Sequence, residues 1–169
     1  MFQIIFISYW IFNAFNKKKT GQIIAGILTI GFLLLIMEPW ISDWTFSKKD
    51  AIKILSVHNF ELNDDFIILK NEAGGFRDYY ETFTLKLSDN DFNRISEKIK
   101  TSKNYKGHFT NYSNLPTADY KTTDTIDFET DNHFEREYWT SKKMENGTFH
   151  FRFQLDKENK ELSYIGSDE

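Results

Sequence analysis

His133-Phe134-Glu135 sets an imidazole and a carboxylate two residues apart, a spacing that turns both to one face if the segment is a β-strand. Such a pair could pass a proton or share a metal ion. Exposed cross-strand polarity is the plainer reading of the same alternation. The other histidines, His58, His108 and His150, are scattered along the chain and do not by themselves form a site. Asp127-Phe128-Glu129-Thr130-Asp131 opens like a calcium-binding loop, but Asn132 stands where glycine is needed and Tyr138 where a bidentate glutamate is needed. Strand alternation accounts for this run instead, with Asp127 and Glu129 toward solvent and Ile126 and Phe128 inward.

The chain has no cysteine, which excludes thiolate nucleophiles and thiolate metal centres. It also lacks the G-x-S-x-G, H-E-x-x-H and phosphate-loop spacings. Gly74-Gly75 joins two expected strands and opens no helix, so it reads as a turn and not as an anion cradle. No residue is therefore assigned to catalysis, metal binding or a cofactor.

The strongest binding candidate is the stretch after Lys100, where Tyr105, Lys106, His108, Phe109, Tyr112 and Tyr120 offer aromatic and hydrogen-bonding groups. Gly107 and Pro116 break any regular pattern there, so the segment reads as a long loop suited to contacts. Closure of one end of the core by these aromatics is the competing reading.

Several elements could position these groups. Ser47-Lys48-Lys49-Asp50 has capping-box spacing with aspartate in the place of glutamate, and predicts a short helix. Phe66 to Leu69 and Tyr79 to Leu87 predict a hairpin, with Phe83, Leu85 and Leu87 on its buried face. Ser88 caps a second helix carrying Phe92, Ile95 and Ile99. Thr125–Thr130, Phe134–Ser141, Thr148–Leu155 and Glu161–Ile165 predict a meander, in which Phe149, Phe151, Phe153 and Leu155 form the clearest apolar stripe. The expected domain, 47–169, is α+β with an antiparallel sheet and two helices in the order α-β-β-α-β-β-β-β.

Upstream, the uncharged run Thr20 to Met37 follows Lys17-Lys18-Lys19. Its eighteen residues would rise about 27 Å as a helix, and extension to Ile41 reaches a ~30 Å hydrocarbon core. The expectation is a transmembrane helix over 20–41, anchored by Ile23, Ile24, Leu28, Phe32, Leu33, Leu34 and Leu35, with Trp40 and Trp44 in the headgroup layer. Residues 1–16, also uncharged, would cross as a first helix or lie in the interface. Gly21, Ala25 and Thr29 recur every four residues and could seat a second copy or a neighbouring helix. By the positive-inside rule the lysines stay in the cytoplasm and the C-terminal domain faces outward from the cytoplasmic membrane.

Three of the 21 basic and two of the 25 acidic residues precede residue 47, so the C-terminal domain is net −5. A mildly acidic surface without a basic stripe excludes nucleic acid as a partner. The expected partners are the lipid bilayer and a protein or envelope component. The function expected from these features is a membrane-anchored, non-catalytic interaction module. The alternatives are an immunity-type protein that neutralises a toxin, and a hydrolase built on His133 and Glu135.

Overall fold

The computed structural model describes residues 18–75, 79–121, 124–142 and 147–168. The expected first apolar segment, 1–16, lies outside the described residues. The chain divides into two compact units, Met1–Ser42 and Asp43–Glu169.

The described part of the first unit belongs to a helix, α1 (Lys18–Thr45). Ile23, Leu28, Leu33 and Leu34 are exposed on it, Ile24 and Phe32 half-buried. Gly21, Ala25 and Thr29 also lie on α1, where the Thr29 hydroxyl donates to the Ala25 carbonyl at 2.8 Å. Among the described residues, no helix is long and apolar enough to cross a membrane. The continuous stretch of described side chains in α1, 19–34, begins at Lys19 and includes Gln22 and three glycines. Lys19, Gln22 and the glycines lower the apolar content of that stretch. This corrects the transmembrane assignment of 20–41, the localisation at the cytoplasmic membrane and the outward display of the C-terminal domain. The side chains of Leu35 and Trp40 lie outside the described residues, and Trp44, at the end of α1, is exposed.

In the second unit, α2 (Lys48–Val57) starts at the expected capping box: the Asp50 carboxylate accepts the Ser47 amide at 2.9 Å and the Ser47 hydroxyl at 2.6 Å. The chain continues as β1 (Ile67–Gly74), β2 (Tyr80–Lys86), α3 (Asp89–Lys100), β3 (Tyr105–Phe109), a 3₁₀ turn at Tyr112–Asn114, β4 (Ile126–Thr130), β5 (His133–Lys142), β6 (Gly147–Asp156) and β7 (Glu161–Asp168). The seven strands form one sheet in the order β1-β2-β7-β6-β5-β4-β3. All neighbours are antiparallel except β3 and β4, which run parallel.

The class is α+β, but the expected order and the purely antiparallel sheet are corrected. Among the described residues there are three helices, α1 and the two of the second unit, and β3 is an added strand inside the segment read as a loop. Gly107 explains why it was hidden. Its φ of 109° accompanies the irregularity between Tyr105 and His108 in the pairing with β4, which breaks the period-two pattern that marks a strand.

One sheet face packs on α2 and α3. Ala51 and Leu55, Ile95 and Ile99 meet Phe83, Leu85, Phe153, Leu155, Leu162 and Tyr164 in a single core. Fully burying each such side chain contributes roughly 1.5–3 kcal/mol. The register Phe134↔Leu155, Arg136↔Phe153 and Tyr138↔Phe151 puts Arg136 on this face too. Asp127, expected toward solvent, is wholly buried there. Arg136 grips it at 2.7 and 3.0 Å with its guanidinium over the Phe60 ring. The exposed assignment of Asp127 failed because both faces of β4 are covered: Phe128, on the opposite face, is just as buried.

Candidate functional site

The second sheet face is built by the residues that alternate with the core stripe. Glu135, Glu137 and Trp139 on β5 pair in register with Gln154, Arg152 and His150 on β6. Phe128 on β4 stands opposite Glu135. The stretch 113–118 of the β3–β4 connection passes over this face and is tied to it at two points. The Ala118 amide donates to Glu137 Oε2 at 3.4 Å, and Trp139 Nε1 donates to the Ala118 carbonyl at 3.0 Å. Beneath it lies a pocket of about 350 Å³. Leu115, Pro116 and Thr117 form its roof, Glu135, Glu137 and Arg152 its polar floor and Phe128 one wall.

Glu135 is the centre of this floor. It is wholly buried, with Arg152 Nε 2.6 Å from Oε1 and His133 Nε2 3.0 Å from Oε2. Neither contact has hydrogen-bond alignment, so His133 Nε2 and both Glu135 oxygens have no hydrogen-bond partner among the described residues. Burial pushes the Glu135 carboxyl up, but His133 and Arg152 outweigh it and hold the group below the usual glutamate range. Glu137 receives His150 Nε2 at 2.7 Å. His150 in turn stacks on Trp139, with ring centroids 4.4 Å apart.

The structure thus joins the His133–Glu135 pair that the sequence spacing suggested, and adds Glu137, His150 and Arg152, which local sequence did not single out. Their signal was the alternation itself, since Glu135 and Glu137 on β5 and His150 and Arg152 on β6 alternate onto the same sheet face. Chemically this is a compensated charge cluster, able to exchange hydrogen bonds with a polar partner. A carboxylate held low by an arginine is a weak base at neutral pH, so Glu135 is poorly suited to general-base hydrolysis. Among the described residues, no group of three histidine, aspartate or glutamate side chains is placed to hold a metal ion.

The binding candidates from the sequence are distributed over several surroundings. Tyr105 packs against the helix-side core and donates its hydroxyl to Glu129 at 3.1 Å, where Lys157 also binds at 2.6 Å. Phe109 meets the Phe128 ring edge to face at 6.0 Å, toward the roofed face. His108 pairs with Asp131 at 2.8 Å on the exposed sheet edge, and Lys106 is exposed on the same strand. Tyr120 is 58% exposed and rests edge-on against Trp139. The Tyr112 side chain lies outside the described residues. Phe109 thus reaches the polar pocket through Phe128, and Tyr120 through Trp139, His150 and Glu137. Compared with protein-family models, with curated proteins and with solved structures, the chain matches none.

Proposed function

We propose that this chain is a non-catalytic interaction module that engages a protein partner through the sheet face roofed by residues 113–118. The observation that carries this reading is the exposed Tyr120, seated on the Trp139–His150 stack at the rim of the charged pocket. A rigid aromatic beside charge-compensated polar groups is the composition of an interaction hot spot: the ring supplies apolar area, and the pre-paired charges cost little to reorganise.

The test is affinity capture from native extract with the full-length chain and with its Tyr120→Ala variant, whose folding is checked by an unchanged urea midpoint. The reading predicts a protein retained by the wild type and reduced about tenfold or more by the variant, the loss of a hot-spot aromatic. Identical retention by both chains, or no specific protein with either, would overturn it.

A further inference from the structure

The helix-side face carries a second pocket at the end of the sheet away from the loop 157–160. It encloses about 210 Å³ between Tyr79, Phe149, Phe151 and Tyr164, with Glu81 and Gly166 completing the wall. Phe149 stacks near-parallel on Phe151 at 14°, and Phe151 on Tyr164 at 22°, each with centroids 6.4 Å apart. Aromatic rings present negative potential at their faces and attract cations that shed water readily.

Glu81 is the one carboxylate in this lining. It is half-buried, and the charge acting on it is Asp50, of the same sign, so burial first and Asp50 second push its carboxyl up. A carboxylate kept among aromatic rings with no cation beside it among the described residues is costly, and a ligand that brings a cation offsets that cost. Asp168 adds an independent sign of the same need. It pairs with Phe149 in register, and its Oδ1 is buried with no hydrogen-bond partner among the described residues. Gly166 helps shape the pocket: a Cβ there would run against Tyr164 Oη and meet Phe151 at 3.5 Å. An apolar cavity of ~150 Å³ accepts benzene, so this one has room for an ammonium bearing several methyl groups.

We infer that the pocket of Tyr79, Phe149, Phe151 and Tyr164 binds a small alkylated ammonium cation, with Glu81 as its counter-charge. The rings surround the apolar methyls, and the carboxylate neutralises the cation at their centre. Selection follows from this division, because a neutral group of the same shape forfeits the electrostatic part and a small hydrated cation forfeits the contact with the rings.

The experiment is calorimetric titration of the full chain with choline, with its neutral isostere 3,3-dimethylbutan-1-ol, and with a peptide carrying trimethyllysine. Binding of choline or of the peptide, at least about tenfold stronger than that of the neutral isostere, is expected, and the stronger of the two identifies a free or a protein-borne ammonium. Glu81→Gln should weaken that binding about tenfold while leaving the urea midpoint unchanged. Phe149→Leu, which keeps apolar volume but removes the ring, should weaken it as well. Absence of binding by both cations at roughly 10 mM, equal binding of the neutral isostere, or full affinity in both variants would each overturn the inference.

Discussion

His58 shows how one residue can tie the stability of this fold to pH. It terminates α2, is 7% exposed and touches the rings of Tyr138, Phe151, Phe153 and Tyr164. Burial lowers its pKa to about 4, and the buried Tyr138 hydroxyl, itself raised to about 12, stays protonated to donate to His58 Nδ1. Because the folded-state pKa lies below the ordinary value of 6.5, the unfolded chain binds the proton first as pH falls. The stabilisation is full above the unfolded value and drains away between about pH 6.5 and 4. From pH 7 to 5 the loss attributable to this one group is about 2 kcal/mol. Urea unfolding should show that extra loss in the wild type and its absence in His58→Phe, while parallel pH profiles would contradict the assignment. At the same scale, the buried Asp127–Arg136 pair lies among apolar side chains, where removal of one partner leaves an uncompensated charge.

At the scale of elements, the caps are the points where local sequence and structure agree most closely. Ser88 Oγ accepts the Asp91 amide at 3.1 Å and donates to Asp64 at 2.6 Å, so it fixes both the start of α3 and the segment before β1. Ser88→Ala should cost about 1–2 kcal/mol in chemical denaturation. A loss below ~0.3 kcal/mol would show that α3 is held by its packing alone. Both cap-bearing helices, the β1–β2 hairpin and the Phe149-to-Leu155 stripe were readable because each is set by neighbours in sequence. The placement of β7 between β2 and β6 was not, since that pairing joins residues about eighty positions apart, such as Phe83 and Tyr164. β3 was hidden by Gly107 and by a parallel partner twenty residues on. In the candidate site, spacing alone announced His133 with Glu135, whereas Arg152 and His150 reach them only through the β5–β6 register. The first helix was foreseen in its apolar character, but among the described residues no helix is long and apolar enough to cross a membrane.

For the whole molecule, the organising fact is that the sheet of the second unit is used on both faces. The helix side holds the core and, at one end, the aromatic pocket around Glu81. The opposite side carries the charged floor of Glu135, Glu137 and Arg152 under the connection that Ala118 ties down. Opposite placement lets the second face vary in chemistry without disturbing the packing that sustains the fold, as is usual for sites set on a rigid scaffold. With a net charge of −4, the chain as a whole favours partners of neutral or basic character. The most direct test of the interaction face is site-specific photocrosslinking in living cells, with the photoreactive residue at Tyr120 and, as control, at Glu97 on the exposed side of α3. A discrete protein adduct at Tyr120 and none at Glu97 is the predicted result. Adducts of equal yield at both positions, or none at Tyr120, would contradict it.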